Sequence, residues 1–410
     1  MSLNETPSAD RVHIAFFGRT NTGKSSLVNA VTGQNLALVS EVKGTTTDPV
    51  FKAMELLPLG PVVIIDTPGF DDKSLLGEKR MERAKRVLNK TDAAVLVITA
   101  EKLPEGFPRG LSVDDAENFL SKTEKELIEI FKEKKIPYII VLNKCDLHSG
   151  CEIENIPFLP VSAKTGLNIN LLKEKIAALA VKKEPEQKLA ADIIRPLDFV
   201  VLVIPIDKAA PKGRLILPQQ QMIREILDAG GVAISVKDSE LEDALKKLGQ
   251  KPALVITDSQ VFAQVSAIVP PDVPLTSFSI LFARYKGFLK TAVRGASSLD
   301  SIKDGDKILI CEGCTHHRQC DDIGTVKIPA LVRKHTSKEP EFIFCSGGDF
   351  PQNLSPYSLI IHCGACMLNE REMHYRRELA ENQNIPFTNY GITIAHIQGI
   401  LERSIAMFDL

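Results

Sequence analysis

The chain has 410 residues, 44% of them hydrophobic and 25% charged, a balance that fits two or three folded domains and excludes a disordered protein. Its formal net charge of -2 supplies no global basic field for nucleic acid, so a nucleic-acid partner is not expected. Apolar runs such as Phe199–Ile206 fall short of the ~18 residues of a membrane span, and the polar segment Met1–Asp10 lacks the apolar core of a signal peptide. No membrane partner and a cytoplasmic location are the expectation.

Apolar runs alternate with helix-length amphipathic stretches from end to end, the pattern of an α/β protein with mostly parallel sheets. In chain order, strands are expected at Ile14–Phe17, Val62–Ile65, Tyr138–Leu142 and Phe158–Val161. A charged stretch, Lys182–Asp192, closes this first unit, placed at 1–182. A second unit, 190–268, reads as strand Val200–Ile206, helix Pro218–Ala229, strand Val232–Val236, helix Ser239–Leu248 and strand Ala253–Thr257. So small a unit can finish burying its faces by pairing with a copy of itself. The Pro-rich stretch Val269–Pro274 opens the third unit, 272–410, with strands at Lys307–Ile310, Glu341–Phe344 and Leu359–Ile361 and helices near Asn369–Asn382 and Ile392–Met407. No internal repeat is apparent.

The first strand feeds Gly18-Arg-Thr-Asn-Thr-Gly-Lys-Ser25, a phosphate loop in the strand-to-helix context that it requires. Backbone N–H groups of Asn21, Thr22, Gly23, Lys24, Ser25 and Ser26 would cradle phosphate at a helix N-terminus. Lys24 would reach the β- and γ-phosphates and the Ser25 hydroxyl would coordinate magnesium. Asp66-Thr-Pro-Gly69 ends the second strand: Asp66 would hold magnesium through water, and the Gly69 N–H would sense the γ-phosphate. Within Gly44-Thr-Thr-Thr-Asp48, Thr46 is the switch threonine for magnesium.

Asn143-Lys144-Cys145-Asp146 selects the base, because the Asp146 carboxylate can accept from N1–H and the 2-amino group of guanine, an arrangement adenine cannot satisfy. Ser162-Ala163-Lys164 would close over the guanine O6. Five motifs in order make this a Ras-like P-loop GTPase that turns GTP into GDP and phosphate. Phe70 stands where many small GTPases carry a water-orienting Gln, so slow turnover is expected. Asn21, with Gly44-Thr45-Thr46, resembles the potassium-activated TrmE–Era group, in which the Asn and switch carbonyls, here those of Ser40 and Val42, hold K+.

Six of the eight cysteines lie between Cys311 and Cys366. The constellation Cys314-Thr-His316 and His362-Cys363-Gly-Ala-Cys366 suits zinc or an iron–sulfur cluster, and its chemistry alone does not choose. Cys314 and Cys363 follow expected strands, at the carboxyl ends where α/β sheets build sites. Cys366 precedes a helix whose N-terminus favours a thiolate. Cys311 and Cys314 also form a C-x-x-C pair, but their separation from Cys363 and Cys366 is far longer than a structural zinc site uses. Cys145 and Cys151 read as incidental. His317, Cys320 and Cys345 read as surface or packing residues, and His13, His148, His335, His374 and His396 as structural.

This combination, a TrmE–Era-like GTPase unit, a middle unit and a C-x-H…H-C-x-x-C unit, resembles the HydF family of GTPases that mature iron-only (FeFe) hydrogenases. The resemblance spans essentially the whole chain. It implies that the middle unit dimerises, with a tetramer as the larger assembly, and that Cys314, Cys363 and Cys366 bind a 4Fe-4S cluster, with His316 and His362 as candidates for the fourth position. It further implies a scaffold that takes a two-iron precursor from the radical maturases HydE and HydG and delivers it to the apo-hydrogenase HydA. A competing reading is a TrmE–Era-type RNA-modification or ribosome-assembly GTPase with a C-terminal zinc module; another is a redox-sensing GTPase.

Overall fold

In the first sheet, Val12–Gly18 (β1) is buried on both faces, as a central parallel strand must be. The computed structural model describes residues 6–34, 49–69, 84, 86–102, 119–147, 158–180, 188–206, 215–313 and 322–408, in two units, Met1–Lys183 and Glu184–Leu410. Among the described residues no helix is long and apolar enough to cross a membrane.

In the first unit β1 lies between Gly60–Asp66 (β3) and Ala93–Thr99 (β4), both parallel to it. Tyr138–Asn143 (β5) and Leu159–Pro160 (β6) continue the sheet in parallel, while Val50–Leu56 (β2) pairs antiparallel to β3 at the opposite edge. The strand order is β2-β3-β1-β4-β5-β6. Period-two alternation sends Ile14 and Phe16 into one core with Leu27 and Val31 of Lys24–Thr32 (α1) and Leu172 of Ile169–Leu179 (α3). Ala15 and Phe17 enter the other, against Leu127 and Phe131 of Lys122–Glu133 (α2). The start of α2 is fixed by a capping box: the Glu124 N–H donates to Ser121 Oγ at 3.3 Å, and the Ser121 N–H to Glu124 Oε2 at 2.7 Å.

Among the described residues, the second unit holds two four-stranded, all-parallel sheets. Phe199–Val203 (β7), Val232–Val236 (β8), Leu254–Thr257 (β9) and Leu275–Ser277 (β10) are ordered β10-β9-β7-β8. Lys307–Glu312 (β11), Glu341–Ser346 (β12), Leu359–His362 (β13) and Phe387–Asn389 (β14) are ordered β12-β11-β13-β14. The order and the register coincide: Val200 faces Leu254 as Ile308 faces Leu359, and Val255 faces Leu275 as Ile360 faces Phe387.

The connecting helices match as well. Leu217–Asp228 (α4) and Ile328–Thr336 (α9) both begin on an apolar residue followed by proline. In Phe278–Tyr285 (α7) and Tyr390–Ile397 (α11), Ser277 and Asn389 cap by accepting the N–H of Ile280 and Ile392. Both helices are followed by a left-handed glycine, Gly287 and Gly399, at φ 70 and 71. The two sheets are therefore copies of one unit, which corrects the reading that the chain has no repeat. What recurs is register, caps and apolar pattern, with few identical residues.

The copies interlock. Leu289–Ala296 (α8), which follows α7, packs on β14, and Leu401–Ile405 (α12), which follows α11, packs on β10. Buried residues of both sheets, among them Val201, Val255, Leu309 and Ile360, join one apolar core. The boundary expected between 268 and 272 is accordingly corrected: β10 lies beyond it yet is an edge strand of the middle sheet. The helix expected over Ile392–Met407 is two, broken at Gly399. The remaining α-helices of this unit among the described residues are Leu241–Leu248 (α5), Phe262–Ile268 (α6) and Glu370–Asn382 (α10).

Candidate functional site

Two motif sets converge at carboxyl ends of strands where the strand order reverses, the place where open α/β sheets form crevices. In the first unit this is the end of β1. Asn21 and Gly23 adopt φ 66 and 76, which turns backbone N–H groups inward as an anion nest. Gly18 has no room for a Cβ, which would lie 2.7 Å from Val97 O. A Cβ on Gly69 would lie 2.7 Å from Thr20 Oγ1 and 2.9 Å from Thr20 N, so glycine lets the Asp66–Gly69 turn close on the phosphate loop.

Asp66 is bracketed by two loop residues. Lys24 Nζ donates to Oδ1, and Ser25 Oγ donates to Oδ2 at 2.8 Å. Both Lys24 and Asp66 are buried. Thr67, fully buried, donates its hydroxyl to Phe16 O at 2.7 Å and fixes the turn. Ser26 follows in the half-buried first turn of α1.

Asn143 acts as a strut: its Nδ2 donates to Thr22 O at 3.0 Å and Gly23 O at 3.3 Å, and its Oδ1 accepts from the Ala163 N–H at 3.1 Å. Lys144 Nζ donates to Asn21 O at 2.8 Å and to Glu101 at 2.9 Å. The Ser162 hydroxyl donates to Asp146 Oδ1 at 2.6 Å, and this bond holds the Asp146 carboxyl below the usual carboxylate range. Asp146 and Lys164 are exposed. Thr46, with Ser40, Val42 and Phe70, lies outside the described residues.

The second convergence is between β11 and β13. The Cys363 N–H donates to Cys311 O at 2.8 Å, and Cys363 Sγ accepts backbone N–H groups from Gly313 at 3.1 Å and Ala365 at 3.4 Å. Gly313 immediately precedes Cys314, which, with His316, His317 and Cys320, lies outside the described residues. Cys366 stands just ahead of α10, which Asn369 caps by accepting the Glu372 N–H at 3.1 Å. Burial pushes the Cys366 thiol up, against the opposing charge of Lys286. Lys286 is itself buried and donates to Ala365 O at 2.7 Å and to Leu368 O.

The donor set fits an iron–sulfur cluster. Cys363 sulfur already takes backbone N–H donors, the pattern that stabilises thiolate ligands. The buried Tyr390 hydroxyl has no hydrogen-bond partner among the described residues. Burial, then Cys363, pushes its ionisation up, so the hydroxyl keeps its proton. Cys311 is fully buried and faces Cys345 across the strand pair, Sγ to Sγ 3.1 Å; burial pushes the Cys311 thiol up. That placement disfavours the C-x-x-C zinc alternative.

His362 requires a correction. It is fully buried, with both ring nitrogens engaged: Nδ1 bonds Cys363 O at 2.9 Å and Nε2 bonds Arg376 Nη1 at 3.0 Å. Because Arg376 can only donate, Nε2 accepts and Nδ1 carries the proton. Burial and the Arg376 charge push its pKa down to about 3. In this geometry His362 positions the Cys363 loop and has no lone pair left for a metal. Sequence reading also missed Arg376, Glu372 and Lys286. Glu372 and Arg376 stand four apart on α10, the spacing of a surface ion pair, and only tertiary packing buries them.

Comparisons with known proteins follow these divisions. Residues 189–287 match the hydrogen maturase F dimerization domain, and residues 290–407 match the hydrogen maturase F tetramerization domain. The chain belongs to the hydrogen maturase F family. Residues 13–144 match the 50S ribosome-binding GTPase family, so this hydrogen maturase F chain carries a GTPase domain ahead of its two oligomerisation domains. The tRNA modification GTPase MnmE of Streptococcus pyogenes is 30% identical over 168 residues, covering 40% of this chain and 32% of that protein. The chain thus spans about a third of the length of the curated relatives it matches. Among solved structures, Era of Aquifex aeolicus bound to GDP.AlF4- is 18% identical, covering 55% of this chain and 92% of that one, at a TM-score of 0.34. NFeoB of S. thermophilus bound to GDP.AlF4- and K+ is 22% identical, covering 42% and 64%, at 0.31.

Proposed function

We propose that the chain is a GTP-hydrolysing scaffold and carrier in FeFe-hydrogenase maturation, which takes the two-iron precursor from HydE and HydG and transfers it to apo-hydrogenase HydA. The observation that carries this reading is the convergence of Cys363 and Cys366 at the β11–β13 crevice, inside the region that matches the family's tetramerization domain. Cys314, Cys363 and Cys366 would hold a 4Fe-4S cluster. Such a cluster supplies an iron whose remaining coordination position accepts the precursor, and His316 is the candidate to occupy that position between transfers.

The chain's own groups do the rest. With nucleotide bound, Lys24 and Ser25 would exchange Asp66 for new partners: Lys24 would contact the β- and γ-phosphates, and Ser25, with Asp66 through water, would hold magnesium, which would supply charge to the phosphates. Asp146, ionised and steadied by Ser162, takes two guanine hydrogen bonds. Thr46 and Gly69 respond to the γ-phosphate, and loss of that phosphate releases the switch segments, the usual way in which such coupling is carried. Asn21 is the candidate potassium ligand, and K+ would supply the charge that an arginine finger otherwise supplies. Slow, potassium-stimulated turnover in a cytoplasmic homodimer or tetramer completes the reading.

The test is Cys366→Ser. The variant should lose the cluster's reducible paramagnetic signal and hydrogenase activation while keeping GTP hydrolysis; full activation by this variant would overturn the proposal. The likeness to MnmE supports the RNA-modification alternative through the GTPase unit alone, and RNA copurifying with the chain would favour it.

A further inference from the structure

Asp300, His335 and His396 meet on a solvent-facing part of the second copy. His335 Nε2 lies 2.8 Å from Asp300 Oδ1, and His396 Nε2 lies 3.2 and 3.1 Å from its two oxygens. The three ligand atoms all lie within 4.8 Å of one another. Two ligands on a tetrahedral zinc with bonds near 2.0–2.1 Å are about 3.3–3.5 Å apart, so small side-chain movements suffice to admit an ion.

The duplication supplies an independent argument. Asp300 stands seven residues before β11, as Asp192 does before β7. His396 follows Tyr390 at the head of α11 by six residues, as Arg284 follows Phe278 at the head of α7. His335 and Arg224 are each seven residues into their helices. In the first copy, Arg284 closes on Asp192 with both terminal nitrogens, and Arg224 turns to Asp228. Where the first copy carries two guanidinium groups, the second carries two imidazoles. A permanently charged partner has been exchanged for two nitrogen ligands around one carboxylate. Both histidines also sit in the last turn of their helices, whose negative dipole ends favour a cation between them.

We infer that Asp300, His335 and His396 form a second metal site, separate from the cysteine crevice, that takes a divalent first-row cation of the zinc class with water in the remaining position. The ion staples the turn Ser297–Ser301 to α9 and α11, as the guanidinium of Arg284 staples the corresponding turn in the first copy.

The test uses the full chain with Cys363→Ser and Cys366→Ser, titrated with Co2+ alone and then with Zn2+. One equivalent of Co2+ should bind with visible ligand-field absorption, without the near-ultraviolet charge transfer of a thiolate, and Zn2+ should displace it. His335→Gln and His396→Gln should each weaken binding at least about tenfold. His396→Arg should restore the ion pair of the first copy and abolish binding while keeping the unfolding temperature of the metal-free protein. Zn2+ should raise that temperature by mass action in the chain carrying Cys363→Ser and Cys366→Ser alone and leave it unchanged when Asp300→Asn is added to them. Absence of saturable Co2+ binding, or equal affinity in the histidine variants, overturns the inference.

Discussion

Arg376 Nη1 lies 3.0 Å from His362 Nε2, and this bond occupies the ring nitrogen that a metal would need. His362→Gln should therefore leave three-cysteine cluster assembly in place. Iron content and the nitrogen couplings in the pulsed paramagnetic resonance spectrum are the measurements. A nitrogen coupling lost in this variant would make His362 a ligand after all.

The same guanidinium neutralises buried Glu372, donating through Nε at 2.9 Å and Nη2 at 2.8 Å. Arg376→Met leaves that carboxylate unpaired and should destabilise the second unit by about 3–5 kcal/mol in denaturant unfolding. Removing both charges, in Glu372→Met with Arg376→Met, should recover most of the loss.

Asp146→Asn replaces a double acceptor with a group that accepts on one atom and donates on the other. GTP affinity should fall by about 2–3 kcal/mol, roughly 30–150-fold. Xanthosine triphosphate, which presents a carbonyl where guanine has its amino group, should gain affinity by equilibrium titration. Unchanged GTP affinity would remove Asp146 from the base site.

Lys24→Ala removes the ammonium that is bonded to Asp66 and that we assign to the phosphates. GTP turnover should drop at least about 100-fold, while the cysteines, in a separate unit, still assemble their cluster. Single-turnover hydrolysis and iron assay on one sample decide the point.

Asp192 is held below the ordinary carboxylate range chiefly by its bonds from Arg284. A depressed carboxyl contributes stability that is present above its unfolded value near 3.8 and is lost as pH falls through the folded value. Both partners are partly exposed, so screening keeps the contribution small. Asp192→Asn should lower stability at neutral pH and flatten its dependence below about pH 4, as read by thermal unfolding across that range.

The nucleotide motifs were legible because each is a short run whose neighbours in sequence are its neighbours in space. Gly18–Ser25 needs only the strand before it and the helix after it. Cys363 and Cys366 were legible for the same reason: they share one loop. Asp300, His335 and His396 were not, since they are ligands only if two helices and a turn from distant segments pack together. The duplication stayed hidden too, because apolar strand residues interchange freely while register and caps persist.

From its sequence alone, this protein's nucleotide chemistry and α/β class were determined, since hydrogen-bonding groups at fixed short spacing and period-two apolar patterning are local properties. Only the tertiary structure decided that His362 is a buried strut to Arg376, that the last two sheets are interlocked copies, and that three scattered residues face one another. Those facts depend on which surfaces meet, and burial and long-range packing are set by the whole fold.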